Sequence, residues 1–360
     1  MSMNLTCCVD LLSFYFRFSS LLNVMNVRFF LSYVKPFAKW SMKLEEVPKV
    51  FDGSIDKFLL QNKSTSSKGT KGKGKVLGPT PDDIRLYCAD AKISEDVVNQ
   101  YIWDKRRYET TQTKISKFVE ALWRFIFYSM FCVMGIKGLF YDPVTVSWIS
   151  DTQMHWVNWP FLQPGDQLPF LLKFYYVTQL GCYIHQLYWT EVARKDAVEM
   201  IIHHCATILL ISFSWLANFT RVGCSILLVH DLADIFLESG KCVSYASKAK
   251  GNEWLGSICD SLFATFAVTF GITRLYLYPN YLVLSLLVES PSSLNPTGET
   301  PWVGFWIFSA LLTTLQILHI FWFYTIMKMV VQLFTTGIDG DVRSEDEDEA
   351  AEPKDTKKGK

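Results

Sequence analysis

The feature that most constrains this sequence is a series of long apolar stretches between residues 118 and 333, some of which carry ionisable side chains in their interior. In a bilayer the backbone polar groups of such a stretch must be satisfied within it, so it crosses as a helix. We therefore expect an all-α, polytopic membrane protein with about six conserved transmembrane helices around an intramembrane polar cavity. The helices are predicted at 118–140, 170–189, 198–217, 222–239, 255–287 and 302–333.

Two apolar stretches are less regular than the others. Residues 11–34 contain Arg17 and Arg28, and a central arginine costs roughly 2.5–3.5 kcal/mol on insertion. This segment is predicted either to span, which would make seven helices, or to lie at the interface. The 255–287 stretch exceeds one straight span and contains Pro279, so we expect it to be tilted, kinked or divided into two partial helices.

The composition agrees with a membrane protein. Half of the residues are hydrophobic, and 35 basic side chains balance 35 acidic ones. This balance argues against nucleic acid as a bulk partner. The nine cysteines form no C-x-x-C pair, so neither a disulfide framework nor a zinc site is expected, and a metal ion is not predicted elsewhere because no H-E-x-x-H pattern occurs.

The polar side chains between residues 194 and 241 lie inside two predicted helices, a costly placement that marks a functional site. The first helix carries His203 and His204, and the second carries His230, Asp231, Asp234 and Glu238. If the helices are antiparallel with their basic flanks in the cytosol, His203 and Asp234 both lie roughly 10–12 Å deep. The polar residues of the second helix share one face with Lys241, and we predict that this face meets the histidine pair.

This pattern resembles the signature of the ceramide synthases, acyl-CoA-dependent sphingoid-base N-acyltransferases with a TRAM–Lag1–CLN8 (TLC) domain. The matching residues are Arg194, Lys195, Asp196, Glu199, His203, His204, Thr207, Ser214, Asn218, Arg221, Gly223, His230, Asp231, Asp234, Glu238 and Lys241. The resemblance implies acyl-CoA as co-substrate, a sphingoid base as acceptor and no bound cofactor. It also implies membrane lipids as surroundings, a homo- or heterodimer and a location in the endoplasmic reticulum membrane.

The resemblance further implies a catalytic set of His203, His204, His230, Asp231 and Asp234. His203 is expected to attack the acyl-CoA and form an acyl-imidazole, with Asp234 orienting its ring. General-base attack by His203 is the alternative, and spacing does not choose between the two. His204 and His230 would stabilise charge or shuttle protons, and Asp231 would hold the network or bind the amine.

Other polar residues are candidates for binding the substrate or the CoA. They are Arg106, Arg107, Arg194, Lys195, Asn218, Arg221, Glu238 and Lys241. Asn218 and Arg221 are also expected in a tight turn between the two polar helices. The isolated histidines, His155, His185 and His319, are predicted to be structural.

The sequence divides into five predicted regions. These are an N-terminal segment (1–40), a flexible basic linker (41–92), a juxtamembrane basic segment (93–117), the catalytic membrane domain (118–334) and an acidic disordered tail (335–360). Residues 93–117 resemble the tail of a homeobox-like region, but the stretch before them is too short and too rich in Gly and Lys to predict three homeodomain helices.

Asn4 is a candidate glycosylation site, and Ser344 is a candidate phosphorylation site. The last lysines fit a retrieval signal on a cytosolic C-terminus.

Three other classes of function are weighed against the enzyme. A non-catalytic TLC-domain lipid chaperone or translocon-associated protein would share the helices but would not need the histidine and aspartate set. A transporter or proton-coupled channel would use the intramembrane carboxylates, but no inverted repeat is present. The third class is a DNA-binding regulator. Against it, no asparagine stands at the position where a homeodomain reads adenine.

Overall fold

A computed structural model of the chain describes residues 31–44, 53–62, 80–141, 151–157, 159, 170–188, 196–248, 251–252, 254–294 and 304–336. All regular elements in these ranges are helices, which confirms the all-α prediction. Several predictions concern positions outside the described residues. They are those for the span before residue 31, for Asn4, Arg194, Lys195 and Ser344, and for the acidic tail.

Nine helices and one short 3-10 helix (Thr152–His155) form the described part of the chain. The helices are α1 (Leu31–Ser41), α2 (Gly53–Asn62), α3 (Pro81–Ala91), α4 (Glu95–Tyr141), α5 (Phe170–Tyr188), α6 (Ala197–Leu216), α7 (Thr220–Ser247), α8 (Leu255–Leu294) and α9 (Phe305–Thr336). By length and composition, α4, α6, α8 and α9 can cross a membrane. The chain is therefore a multi-pass membrane protein, and α5 and α7 occupy the other two positions at which spans are predicted.

Helix α7 lies at the centre of the bundle. It packs against α4 on one side and α8 on the other, while α6 packs against α5 and α9. Large apolar side chains such as Leu209, Ile317 and Ile320 point outward and are exposed. Because an exposed apolar belt is unfavourable in water, these faces are suited to contact lipid.

Helix α8 changes its winding in the middle. It is α-helical over Leu255–Phe270, π-helical over Gly271–Val283 and Ser285–Glu289, and α-helical again at Ser290–Leu294. Pro279 has no amide hydrogen to donate, and its carbonyl accepts from the amide of Leu284. The predicted irregularity is thus a widening of the turns within one helix rather than a division into two.

The turn between α6 and α7 has the conformation that its sequence favours. Asn218 has a φ of 59°, in the left-handed region where asparagine is enriched among non-glycine residues. The amide of Phe219 donates to the carbonyl of Ser214 at 2.7 Å, which closes the end of α6. The prediction of a tight turn at Asn218 is confirmed.

The region before the membrane bundle contains more structure than the sequence predicts. Helices α2 and α3 lie within residues 41–92, where a flexible linker is expected, and with the start of α4 they form three consecutive helices. A capping box begins α3, since the Oγ1 of Thr80 accepts from the amide of Asp83 and a carboxylate oxygen of Asp83 accepts from the amide of Thr80. A small core of Ile55, Cys88, Val98 and Tyr101 holds the three helices together. The linker prediction was therefore wrong for these helices, and residues 63–79 lie outside the described residues.

Candidate active site

Three histidine rings meet in the interior of the bundle. His203 and His204 come from α6 and His230 comes from α7, and all three are buried. The ring centroids of His203 and His204 are 5.5 Å apart, and those of His203 and His230 are 6.5 Å apart. His230 on the polar face of α7 therefore lies beside His203 of the histidine pair on α6.

The hydrogen bonds of His230 define its protonation pattern. Its Nδ1 lies 2.7 Å from the carbonyl oxygen of Ile226, so this nitrogen must carry the hydrogen and donate. In the neutral ring the Nε2 then offers a lone pair. The Nε2 of His319, which lies 3.0 Å away on α9, must donate to it. His319 is fully buried, and it is a direct partner of the site rather than the isolated structural residue that the sequence predicts.

Asp234 has a partner that the sequence analysis did not assign. A terminal guanidinium nitrogen of Arg274 on α8 donates to Asp234 at 3.0 Å and to the carbonyl of His230 at 2.8 Å. The guanidinium carbon also lies 4.6 Å from the ring centre of Phe270, a cation–π distance. Asp234 therefore contacts Arg274 rather than His203 in this structure, because a guanidinium offers a carboxylate a charge-assisted hydrogen bond.

The other two carboxylates of α7 also have partners on different helices. Asp231, which has no exposed surface, accepts from the amide of Gln179 on α5. Glu238 accepts from Lys241 at 2.8 Å and lies 3.8 Å from Arg124 on α4. The polar residues of α7 thus contact five neighbouring helices, α4, α5, α6, α8 and α9, and Glu238 and Lys241 pair with each other within α7.

His203 is surrounded by aromatic rings. The indole of Trp322 meets it edge-on at a centroid distance of 5.2 Å, and the ring of Tyr183 lies 6.2 Å away. Its Nδ1 is buried and has no hydrogen-bond partner among the residues that the structure describes. A neutral imidazole with one uncommitted nitrogen in apolar surroundings can act as a nucleophile or as a base.

A cavity of about 40 Å³ adjoins His230. It is bounded by His230 and Tyr183 at one end and by Phe219 and Phe308 at the other, and apolar side chains such as Leu312 form most of its wall. A space of this size holds one or two water molecules. Its apolar lining continues from the histidines toward the turn at Asn218.

The remaining predicted binding residues do not lie in this cluster. Arg106 and Arg107 are on the part of α4 that precedes the membrane bundle, where Arg107 lies 5.3 Å from the ring centre of Trp103. Asn218 lies in the turn before α7 and Arg221 in the first turn of α7, roughly 13–18 Å from His230 along the helix axis. Arg221 donates there to the carbonyl of Val157 at 2.8 Å, which is a structural contact.

His155 lies near Arg221, in the segment between α4 and α5. It is buried, and its Nε2 is 3.3 Å from the hydroxyl of Ser225. Burial lowers the pKa of His155 to about 4, and the nearby charge of Arg221 acts in the same direction. This ring therefore stays neutral near pH 7 and contributes a structural contact.

Sequence reasoning missed Arg274, His319 and Gln179. Arg274 had a usable signal, since an ionisable side chain inside an apolar helix marks a site. His319 and Gln179 lie in largely apolar helices with no acidic residue, and isolated polar residues of this kind are more often structural. No group of three or more His, Cys, Asp or Glu side chains with metal-binding geometry occurs in the ranges that the structure describes.

Comparison with known proteins gives a consistent result. The TLC domain family matches residues 117–328. The chain is 34% identical to ceramide synthase 5 of Homo sapiens over 276 residues, which is 76% of this chain and 65% of that protein. It is 32% identical to ceramide synthase LOH2 of Arabidopsis thaliana over 66% of this chain and 77% of the relative. ASC1-like protein 3 of Oryza sativa subsp. japonica is 31% identical over 74% of this chain and 87% of its own length. The matches to the human relatives thus span slightly less than two thirds of their length.

Proposed function

This chain belongs to the ceramide synthase family of TLC-domain proteins, and we propose that it is itself a sphingoid-base N-acyltransferase that uses acyl-CoA. The observation that carries the proposal is the meeting of His203, His204 and His230 inside the bundle. On the same face of α7 as His230, Gln179 holds Asp231 and Arg274 holds Asp234. A lipid chaperone would have no need of such a cluster, whose burial is costly.

The reaction joins an amine to an acyl group. In the covalent route, a nitrogen lone pair of His203 attacks the thioester carbonyl, the carbon–sulfur bond breaks, and CoA leaves as the thiol after taking a proton. The neutral amine of the sphingoid base then attacks the acyl-imidazole, the carbon–nitrogen bond to His203 breaks, and the amine proton is lost as the amide forms. In the general-base route, His203 removes the amine proton while the amine attacks the thioester directly, the carbon–sulfur bond breaks, and CoA leaves as the thiol after taking that proton from His203.

Three features support His203 as the reacting group in either route. Its Nδ1 has no hydrogen-bond partner within the described ranges, whereas His230 commits both nitrogens to Ile226 and His319. The rings of Trp322 and Tyr183 exclude water from His203, which protects an acyl-imidazole from hydrolysis. The apolar cavity beside His230 offers a direction for an acyl chain, although it must widen to hold one.

The carboxylates and Arg274 have supporting roles in this proposal. Arg274 holds Asp234 and the backbone at His230 in place, and its positive charge lies close to where the thioester oxygen becomes negative. Asp231 remains a candidate for receiving the amine, because its carboxylate faces the same interior. Arg106, Arg107, Arg194 and Lys195 remain candidates for the CoA phosphates, since they carry the positive charge that phosphates require.

The experiment that tests the proposal compares the wild type with His203→Ala in detergent. Each protein receives a long-chain acyl-CoA with and without sphinganine, and CoA release, ceramide and intact protein mass are measured. His185→Ala is the matched control, because His185 is a partly buried histidine outside the cluster. We expect ceramide from the wild type and the control but not from His203→Ala.

The protein mass then separates the two routes. An acyl adduct that requires His203 and forms without sphinganine would support the covalent route, and activity without an adduct would favour the general-base route. If the wild type makes no ceramide with any chain length tested, the enzyme proposal fails and the lipid chaperone takes its place.

We also propose that the protein resides in the endoplasmic reticulum membrane as a homo- or heterodimer with a cytosolic C-terminus. The basic flank at Lys241 and Lys248 supports a cytosolic end for α7 under the positive-inside rule. Glycosylation of Asn4 and phosphorylation of Ser344 stay predictions. Peptide mass spectrometry of the protein from its native cells tests both.

A further inference from the structure

A wide groove opens at the end of the bundle where α7 finishes, well away from the histidines. Its walls come from α1, from α4 near Gln112 and Ile115, and from the connection between α7 and α8. The groove has a volume of about 960 Å³, far larger than the cavity beside His230. We call it the lysine groove and define it by Lys35, Lys39, Lys43, Trp40, Gln112, Asn252 and Trp254.

The described residues that line the lysine groove carry charge of one sign. Three lysines line it, and the described residues along its walls include no aspartate or glutamate. Lys35 and Lys39 are one helical turn apart on α1, so their side chains point to the same side. Gln112 adds an uncharged amide donor on the opposite wall. Lysine ammonium groups that line one space are suited to a phosphate.

The walls of the lysine groove are fixed by hydrogen bonds and by packing. The side-chain amide of Asn252 donates to the carbonyls of Ser41 and Ala246, both at 3.1 Å, and so ties the end of α1 to the end of α7. On its inner side, α1 buries Ala38 and Met42 against Ile115 and Phe118 of α4. The lysines therefore project from a backbone that is fixed on both sides.

Two tryptophans place the groove at a membrane surface. Trp40 is 75% exposed and Trp254 is 66% exposed. Exposed tryptophans at the ends of membrane helices are typical of the headgroup level, and lysines at the same end of the bundle indicate the cytosolic leaflet. Basic pockets between transmembrane helices on this side bind phosphorylated lipid headgroups.

We propose that the lysine groove is a binding site for a phosphate-bearing anionic ligand, and that the ligand is the headgroup of an anionic membrane lipid. The exposed tryptophans favour the lipid, because its acyl chains would lie beside them while its phosphate lies among the lysines. A phosphate of a soluble nucleotide such as CoA has the same chemistry and is the other source. The site is separate from the proposed acyl transfer, so its test does not depend on that activity.

The test uses the full-length protein in nanodiscs of phosphatidylcholine, with or without phosphatidylinositol phosphate. Native mass spectrometry counts the retained lipids, and calorimetry in pure phosphatidylcholine measures CoA binding. The variant replaces three lysines together, Lys35→Gln, Lys39→Gln and Lys43→Gln. The control removes three positive charges outside the groove, Lys57→Gln, Arg85→Gln and Lys92→Gln. A second variant, Gln112→Glu, adds one negative charge to the groove and keeps every lysine.

We expect anionic lipid to be retained by the wild type and the control but bound roughly 100-fold more weakly by the triple lysine variant, since each lysine near an anionic surface contributes about fivefold. Gln112→Glu should weaken retention in the same direction. If lipid retention is unchanged and CoA binding falls instead, the groove is a phosphate site for the soluble ligand. If neither lipid nor CoA binding differs between the triple variant and its control, the phosphate site does not exist. Thermal unfolding of each variant shows whether it is folded. If the triple variant is not folded, lipid retention by Gln112→Glu decides whether the phosphate site exists.

Discussion

Arg274 is the residue that links Asp234 to the backbone of His230 in the site. It contacts both the side chain of Asp234 and the backbone of His230, and only 8% of its side chain is exposed. A buried ion pair contributes little net stability, but the loss of one partner leaves the other charge uncompensated. The pair therefore has a measurable signature.

We expect Arg274→Met to destabilise the protein by about 3–5 kcal/mol, because Asp234 then remains charged without its partner. The double variant with Asp234→Asn should be less destabilised than Arg274→Met alone, since the unpaired charge is gone. Thermal unfolding of the four proteins completes the double-mutant cycle, which should give a coupling energy above about 1 kcal/mol. Additive effects of the two substitutions would show that the pair does not form.

His319 is a positioning residue for His230 within the proposed reaction. We expect His319→Phe to lower kcat roughly 100-fold, because His230 would lose the donor to its Nε2 and with it its orientation. His319→Gln keeps an N–H donor at a similar reach and should restore part of the rate. If His319→Phe and His319→Gln lower kcat equally, the hydrogen bond to His230 does not account for the loss. If neither variant lowers kcat, His319 has only a packing role. Ceramide formation at saturating acyl-CoA gives the rates.

At the scale of the elements, the close approach of Tyr176 on α5 to α7 requires the glycine at position 223. A Cβ at Gly223 would lie 1.8 Å from the hydroxyl oxygen of Tyr176, a buried side chain that donates to the carbonyl of Thr220 at 3.0 Å. Gly223→Ala must therefore displace Tyr176, which we expect to cost about 1–3 kcal/mol, as overpacked cores do. Thermal unfolding measures this loss.

The clash at Gly223 also predicts a partial rescue. Tyr176→Phe removes the nearest atom, and the next nearest ring carbon lies 2.9 Å from the added Cβ. The double variant should thus be more stable than Gly223→Ala alone, although it loses the hydrogen bond to Thr220. Gly256→Ala is the control on another helix, because no atom lies within 4 Å of a Cβ there.

The segment between α4 and α5 carries a pH dependence through His155. Its pKa is lowered to about 4 in the folded protein, whereas an unfolded histidine titrates near 6.5. Between these values the unfolded state binds more protons, so stability is fully present above about pH 6.5 and falls as the pH decreases toward 4. We expect about 2 kcal/mol less stability from this residue at pH 5 than at pH 7. His155→Gln should remove that difference, and equal slopes for both proteins would contradict it.

The elements also show what sequence reasoning can and cannot find. Apolar stretches predicted six helix positions, because the cost of an unpaired backbone in a bilayer leaves few alternatives. The positions of His203 and His230 within α6 and α7 predicted that the two rings lie at a similar depth, because the rise per residue of a helix is fixed. The partners of Asp234 and His230 were missed because they come from α8 and α9, and no pattern along one helix states which neighbour it will face. The helices before the bundle were missed because their capping and small core are weaker signals than a basic, glycine-rich composition.

At the scale of the whole molecule, one helix joins two separate cores. Helix α4 runs from Glu95 to Tyr141, with Val98 and Tyr101 in the small core of α2 and α3 and Phe118 and Val119 packed against α1. The buried clusters of the membrane bundle share no member with the small core in the part of the chain that the structure describes. The region before the bundle should therefore unfold without unfolding the site.

Val98→Asp tests this independence. Val98 is fully buried, whereas its neighbour Val97 is 55% exposed, so Val97→Asp is a control of the same chemistry on the same helical turn. A carboxylate buried in so small a core has no compensating partner and should unfold α2 and α3. Trypsin should then cleave at Lys57, Arg85 and Lys92 at least about tenfold faster, because cleavage follows the population of the open state.

The membrane bundle should be unaffected in the same Val98→Asp protein. Its thermal transition and its ceramide formation should match those of Val97→Asp, because the buried clusters of the bundle contain no residue of the small core in the described part of the chain. Loss of the bundle together with the small core would show that α4 couples the two into one cooperative unit. Cleavage that stays slow in Val98→Asp would instead show that the small core does not hold α2 and α3 in place.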